Sequence, residues 1–236
     1  MSIAARVAGA LRQGVAAVLP QECLLCRADA GDKVLCPACA AALPRLPTAC
    51  CPLCALPTPD GNTCGACLRQ PPHFDATLAL FRYEFPLDRL VQALKYAHRL
   101  AAADFLGREL ARLAPPVPLP DLVLPVPLAA QRLAERGFNQ ALELARPLAG
   151  LLGVPLGLGR VHRRRDTAPQ AGLPWKERAQ NIRHAFECDI DLSGMDVLVV
   201  DDVMTTGATL DELARTLKGR GARRVENRVV ARALKD

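Results

Sequence analysis

Leu87, Leu90, Val91 and Leu94 recur at helical spacing, and the period continues through Phe105, Leu106 and Leu110, predicting a helix over 87–113. Before it, FDATLALFRYEF (74–85) alternates well enough for a strand or hairpin. After it, Pro115 to Pro120 reads as a loop, and DLVLPVP (121–127) is an apolar run too short and Pro-flanked for a helix, hence a strand. Helical spacing resumes over 138–152, FNQALELARPLAGLL, with a kink expected at Pro147. A strand is expected near 155–161. RRRDTAPQAGLPW (163–175) carries turn formers and charge without an apolar period, which predicts a surface loop. Residues 176–184 read as helix, MDVLVV (195–200) as a buried strand, 207–219 as a helix with Leu210, Leu213, Ala214 and Leu217 on one face, and 225–231 as an edge-like strand. Strand–helix–strand order across 121–231 predicts an α/β fold, a parallel sheet with helices on both faces. At the amino end, Ile3, Val7, Ala10, Leu11, Val15 and Val18 predict a short amphipathic helix.

The periodicity gives out between residues 20 and 74, where Pro and Cys take over. Cys23, Cys26, Cys36 and Cys39 form C-x2-C-x9-C-x2-C, and Cys51, Cys54, Cys64 and Cys67 repeat it 28 residues later. A C-x2-C turn aims two thiolates at one point about 2.3 Å away, and two turns complete a tetrahedron that suits zinc. Four protein thiolates leave no open coordination position, so two structural zinc ions are expected rather than a catalytic metal. A disulfide framework would need an exported chain, and Arg12 and Gln13 interrupt the only stretch resembling a leader. An iron–sulfur cluster is the lesser competitor. The sequence leaves open whether adjacent or interleaved pairs share a metal, and whether Cys50 substitutes for Cys51. Cys188 reads as a small buried residue.

Composition adds a location for charge. The chain carries +6, and residues 131–183 alone hold ten Lys/Arg against four Asp/Glu, the whole surplus. Such a segment suits an anionic ligand, a phosphate-rich metabolite or a nucleic-acid backbone, or else is a solvated face. No run of 18 apolar residues occurs, which argues against a membrane span and for a cytoplasmic location.

The stretch VLVVDDVMTTGATLDELA (197–214) carries the most specific chemistry. Its strand ends in Asp201 and Asp202, where open α/β sheets bind ligands. Thr205, Thr206, Gly207, Ala208 and Thr209 then turn into a helix whose first amides and dipole favour an anion. The turn can cradle a monophosphate, and the carboxylates can accept hydrogen bonds from vicinal hydroxyls, so phosphate and diol together describe a ribose 5-phosphate. No Lys makes it a P-loop, and one Gly is too few for a dinucleotide fingerprint. A Mg²⁺ site at the acids, or a plain helix with a Thr N-cap and Asp211 and Glu212 as surface acids, are the alternatives.

VLVVDDVMTTGATL resembles the phosphoribosyl pyrophosphate (PRPP) signature of type I phosphoribosyltransferases. LKYAHRLAAADFLG (94–107), LPVPL with RLAERGFNQALELA (124–145) and RRRDTAPQAGLPWKERAQNIRHAF (163–186) resemble blocks of ComF-type, or GntX-like, competence proteins. The resemblance implies a type I phosphoribosyltransferase fold behind a cysteine-rich double zinc ribbon. The chain would divide into a helix (1–20), the double ribbon (21–70) and the phosphoribosyltransferase-like domain (71–236). It implies Asp201 and Asp202 as catalytic acids on the ribose hydroxyls, Thr205 to Thr209 on the 5-phosphate, and Val126 to Arg132 on pyrophosphate with its Mg²⁺. It also implies a hood over 162–175 whose Arg163 and Arg165 reach phosphate, with Lys95 a further cation. Where the family block usually has a Gly, this chain has Ala97-His98. Asn139 and Gln140 read as helix-start structure or part of an acceptor site, and His98, His162 and His184 are bases by type only. The implied role lies in DNA uptake, either by transfer of phosphoribose to an acceptor or as a non-catalytic PRPP-dependent factor for single-stranded DNA, with competence or recombination proteins as partners. A zinc-linked platform for protein partners is a third reading. Few aromatics are present for base stacking: Trp175, Tyr83, Tyr96 and six Phe.

Overall fold

The computed structural model describes residues 21–113, 118–164 and 182–234. The helix expected over 1–20, Arg165, Trp175 and the 176–181 part of another expected helix lie outside these residues. Four parallel strands form the central sheet: β1 (Ala76–Arg82), β2 (Leu122–Pro125), β5 (Asp196–Met204) and β6 (Arg224–Arg232), in the order β1-β6-β5-β2. A separate antiparallel pair joins β3 (Val161–Arg163) to β4 (Phe186–Cys188). Val197 to Val200 are buried on both faces of β5, which is why that strand reads as a continuous apolar run rather than an alternation.

Helices cover both faces, as expected. On one side α3 (Leu87–Ala97), α4 (Leu100–Arg112) and α6 (Gln140–Leu152) bury Leu90, Leu94, Leu106 and Leu144 against Leu198 and Val200. On the other, α7 (Ala208–Lys218) buries Leu210, Leu213 and Leu217 against Val197, Val199 and Val229. Gly107 of α4 has no room for a side chain, because the Leu144 carbonyl and Pro147 ring of α6 occupy the space. The α6 helix runs through Pro147.

Several elements differ from expectation. The single helix over 87–113 is two, because His98 takes a left-handed conformation (φ 52°, ψ 31°) and Arg99 N–H turns back to the Ala93 carbonyl at 3.3 Å. The apolar period survives that break, so the pattern conceals it. Helix α5 (Ala130–Arg136) was not anticipated; it buries no side chain and so carries no apolar stripe. The strand near 155–161 reduces to one bridge, Leu156 to Val123, and pairing starts only at Val161. Residues 225–231 are not an edge: β6 lies between β1 and β5. Its polar residues mislead, because they are buried with partners. Asn227 Nδ2 donates to Thr77 Oγ1 at 3.1 Å, and Arg228 Nη1 donates to the Leu110 carbonyl at 2.8 Å near the end of α4.

The cysteine region repeats in three dimensions. The bridge Glu22–Asp29 recurs as Cys50–Pro57, Arg27 and Ala55 share a positive φ, and the short helices α1 (Pro37–Ala41) and α2 (Gly65–Arg69) follow Cys36 and Cys64 as N-caps. The segment also covers the open edge of β1: Leu46 N–H bonds the Leu80 carbonyl at 3.1 Å, and Thr77 N–H the Pro52 carbonyl at 3.0 Å.

Candidate functional site

Directly after the buried run Val197–Val200, β5 carries Asp201 and Asp202 within the strand rather than beyond it. Asp201 Oδ1 accepts the Asp202 N–H at 2.8 Å, and Asp202 Oδ1 accepts the Val203 N–H at 2.7 Å. Lys95, on the last turn of α3, brings its Nζ to 2.7 Å from Asp202 Oδ2. Burial pulls the Lys95 ammonium down, but Asp202 and Asp201 outweigh it and leave its pKa above the ordinary lysine value. Burial and then the Asp202 charge push the Asp201 carboxyl up to about 8, against the opposing pull of the Asp202 N–H and Lys95.

The turn that follows is shaped by a glycine at the start of α7. Gly207 caps α7 in the left-handed region (φ 85°), where a Cβ would stand 2.6 Å from Met204 Cε; only glycine fits without strain. The N-cap is therefore not a threonine, although Thr206 Oγ1 accepts the Ala208 N–H at 3.1 Å. Nor is Glu212 a surface acid. It is buried, accepting the His184 N–H at 2.7 Å and pairing with Arg215. A small recess of about 30 Å³ is lined by Asp201 and by residues 203–210.

Beside it opens a cavity of about 390 Å³, lined by Lys95, Val126, Arg132, Arg163, Asp201, Asp202, Thr205 and Thr209 among others. The described site residues expected from the sequence thus meet in these two contiguous spaces; Arg165 lies outside the described residues. Arg163 enters from β3, with its guanidinium over the Phe186 ring at 5.8 Å. Tyr83, Gln92, Tyr96 and Arg136 also line the cavity, and sequence reasoning did not select Gln92 or Arg136 for it. The Arg136 guanidinium lies 5.5 Å from the Tyr96 ring centroid. Asn139 acts as helix-start structure: its Oδ1 accepts the Ala141 N–H and its Nδ2 donates to the Val126 carbonyl, both at 3.0 Å, while Gln140 faces the cavity. None of His98, His162 and His184 lines the cavity. His98 stacks on Phe138 with ring centroids 5.3 Å apart, His162 lies 3.0 Å from Asp189, and His184 is 3.1 Å from Arg215.

The cysteines assemble into two quartets of adjacent pairs, which settles the pairing left open by the sequence. Cys23, Cys26, Cys36 and Cys39 form one and Cys51, Cys54, Cys64 and Cys67 the other, each with its sulfurs within 4.8 Å of one another. Cys26 and Cys36 Sγ lie 3.7 Å apart, and Cys54 and Cys64 Sγ 3.6 Å. A tetrahedron of thiolates at the usual zinc–sulfur distance has sulfurs about 3.8 Å apart, so the quartets fit the ion. Burial raises Cys23, yet N–H donors from Cys26, Cys36 and Leu25 bring it down to about 6, whereas burial and its fellow thiols push Cys39 up to about 12. Four negative sulfurs in one place need a cation. Cys50 stands outside the second quartet with its thiol 3.2 Å from the Pro47 carbonyl, and Cys188 is buried as expected.

Comparison with known proteins follows the same division. Residues 136–236 match the phosphoribosyl transferase domain family, and residues 14–68 match the double zinc ribbon domain. With the quartets, the second match makes these two four-cysteine zinc-ribbon sites for structural zinc. The DNA utilization protein YhgH of Salmonella typhi is 36% identical over 225 residues, covering 92% of this chain and 99% of its own. Competence protein F of Haemophilus influenzae is 34% identical over 179 residues, 72% of this chain and 78% of its own. Competence protein ComFC of Bacillus subtilis is 26% identical over 204 residues, 80% of each chain. Among the described residues, no helix is long and apolar enough to cross a membrane.

Proposed function

The chain belongs to the ComF/GntX-like competence protein F family, and on that premise we propose that it binds PRPP in the cavity at the end of β5 and acts in the uptake and use of DNA. The observation that carries this reading is the acid pair Asp201–Asp202 lying directly beside the amide turn 205–209. The cradle takes the 5-phosphate, the acids take the ribose hydroxyls, and Val126 to Arg132 with Arg163 and Lys95 face the pyrophosphate, with Arg165, outside the described residues, a further cation for it. Mg²⁺ brought by the pyrophosphate would be held mostly by substrate oxygens and water and would help neutralise the leaving group. Cleavage at the sugar C1 passes through an oxocarbenium-like state, as in glycoside hydrolysis, so the protein's contribution is positioning and stabilisation of departing charge. We place the domain boundaries at 20 and 70 and the protein in the cytoplasm, with competence or recombination proteins as its partners.

Transfer of phosphoribose to an acceptor is one outcome of such binding. A non-catalytic, Mg–PRPP-dependent factor for single-stranded DNA is the other. Titration of the protein with Mg–PRPP, followed by assay of pyrophosphate release with and without single-stranded DNA, separates them. Tight binding lost in Asp201→Ala supports the site. Release identifies transfer or hydrolysis, and binding without release identifies the non-catalytic factor. No binding by the wild-type protein removes the assignment.

A further inference from the structure

We infer that Arg232 is the positioning residue of the anion cradle and that it couples the second cysteine quartet, and not the first, to PRPP binding. The inference rests on the reading of residues 205–209 as the 5-phosphate site.

Arg232 ends β6 and is 2% exposed. Its partners are backbone carbonyls. Nε donates to Cys54 at 2.7 Å, and Nη1 donates to Met204 at 3.0 Å, to Ala233 at 2.8 Å and to Thr205. One side chain therefore joins a cysteine of the second quartet to the first two peptides of the phosphate turn. Peptide planarity gives these contacts their effect. In a trans peptide the C=O and the following N–H point in opposite directions. Holding the Met204 and Thr205 carbonyls on the guanidinium turns the N–H groups of Thr205 and Thr206 the other way, away from the buried arginine. A rotated peptide would present a carbonyl oxygen to an incoming phosphate and repel it.

The location of the charge has its own logic. Four thiolates on a divalent zinc would leave two net negative charges, one of which a buried guanidinium offsets. Packing reinforces the link. Cys51, Cys54, Cys67, Phe74 and Met204 share one apolar cluster, whereas Cys23 and Cys36 belong to the cluster on the opposite face of the sheet. Met204 and Phe74 are also the side chains nearest the Cβ direction of Gly207.

Coupling between two ligand sites is reciprocal, so the test works from either end on the whole zinc-loaded protein. In the wild type, saturating Mg–PRPP is expected to slow the loss of one zinc ion to a colorimetric chelator by roughly tenfold, the usual size of such coupling, and to leave the other unchanged. Cys39→Ser, which keeps only the second quartet whole, assigns the protected ion. Arg232→Lys retains a charge but cannot span four carbonyls; it is expected to keep zinc content while binding Mg–PRPP about tenfold more weakly and losing the protection. Arg232→Lys that binds Mg–PRPP like the wild type, or Mg–PRPP that slows neither ion or both alike, overturns the coupling while leaving the cradle reading intact. A wild-type protein that binds no PRPP overturns both. The chelation measurement needs no substitution at Arg232 and stands even if the variant fails to fold.

Discussion

The two zinc ribbons share one spacing and one local geometry, yet they sit in different surroundings. Arg27 and Ala55 occupy the same left-handed position, but Arg27 is exposed and Ala55 is 3% exposed. Cys26 is exposed where Cys54 is buried. The first ribbon packs with Leu80, Phe81 and the α3–α4–α6 face, and the second with Phe74 and Met204 beside the turn 205–209. A repeat in sequence thus sets the fold of each ribbon, while the neighbours each one meets set what it can influence. The first packs on the helical face of the sheet; the second sits under the turn 205–209 and also lends its Pro52 carbonyl to the edge of β1.

The sharpest way to break that comparison is to remove each metal in turn. Cys67→Ser is expected to lose one zinc by metal analysis and to weaken Mg–PRPP binding by roughly tenfold or more in calorimetry. Cys36→Ser is expected to unfold the first ribbon and lose the other zinc while leaving that affinity within about twofold, as for well-separated sites. Zinc supplies on the order of 10 kcal/mol of folding free energy per site, so proteolysis should cut each variant in its own ribbon. Equal losses of affinity would mean the two ribbons act as one.

Gly207→Ala probes the turn from its other side. Forcing a Cβ into the left-handed region costs about 1–2 kcal/mol, and the same atom displaces Met204 from its contact with the second ribbon's cluster. A lower melting temperature together with lost Mg–PRPP binding is expected, with zinc content unchanged. A variant that binds normally would contradict the close fit at the cradle.

A smaller effect comes from Asp201. Its folded pKa of about 8 lies above the ordinary 3.8, so the folded chain keeps a proton that the unfolded chain releases. The associated stability is full below 3.8 and is lost as pH rises toward about 8. Asp201→Asn should therefore raise the melting temperature more at pH 8 than at pH 5, and a constant difference would contradict the shift. The smallest effect is expected of Cys50→Ser: two zinc ions and unchanged Mg–PRPP affinity, since Cys50 lies outside the quartet. Loss of a metal there would reassign the second site.

Much of this protein is written locally. The cysteine spacing encodes both ribbons because each knuckle is closed by its own neighbours, as in the Cys23 N–H to Ala28 and Cys51 N–H to Leu56 bonds at 2.8 and 2.7 Å. The apolar run, the acids and the Thr-Thr-Gly turn encode the heart of the site for the same reason: strand, cradle and helix start are contiguous. Tertiary structure decided the rest. It placed β6 at the centre of the sheet, because Asn227, Arg228 and Arg232 find buried partners that no short window contains. It brought Lys95 of α3 to Asp202 of β5 and set Arg232 between a zinc ribbon and the turn 205–209. Such placements depend on which apolar faces are buried together, and a polar residue looks solvent-bound in sequence until the chain closes around it.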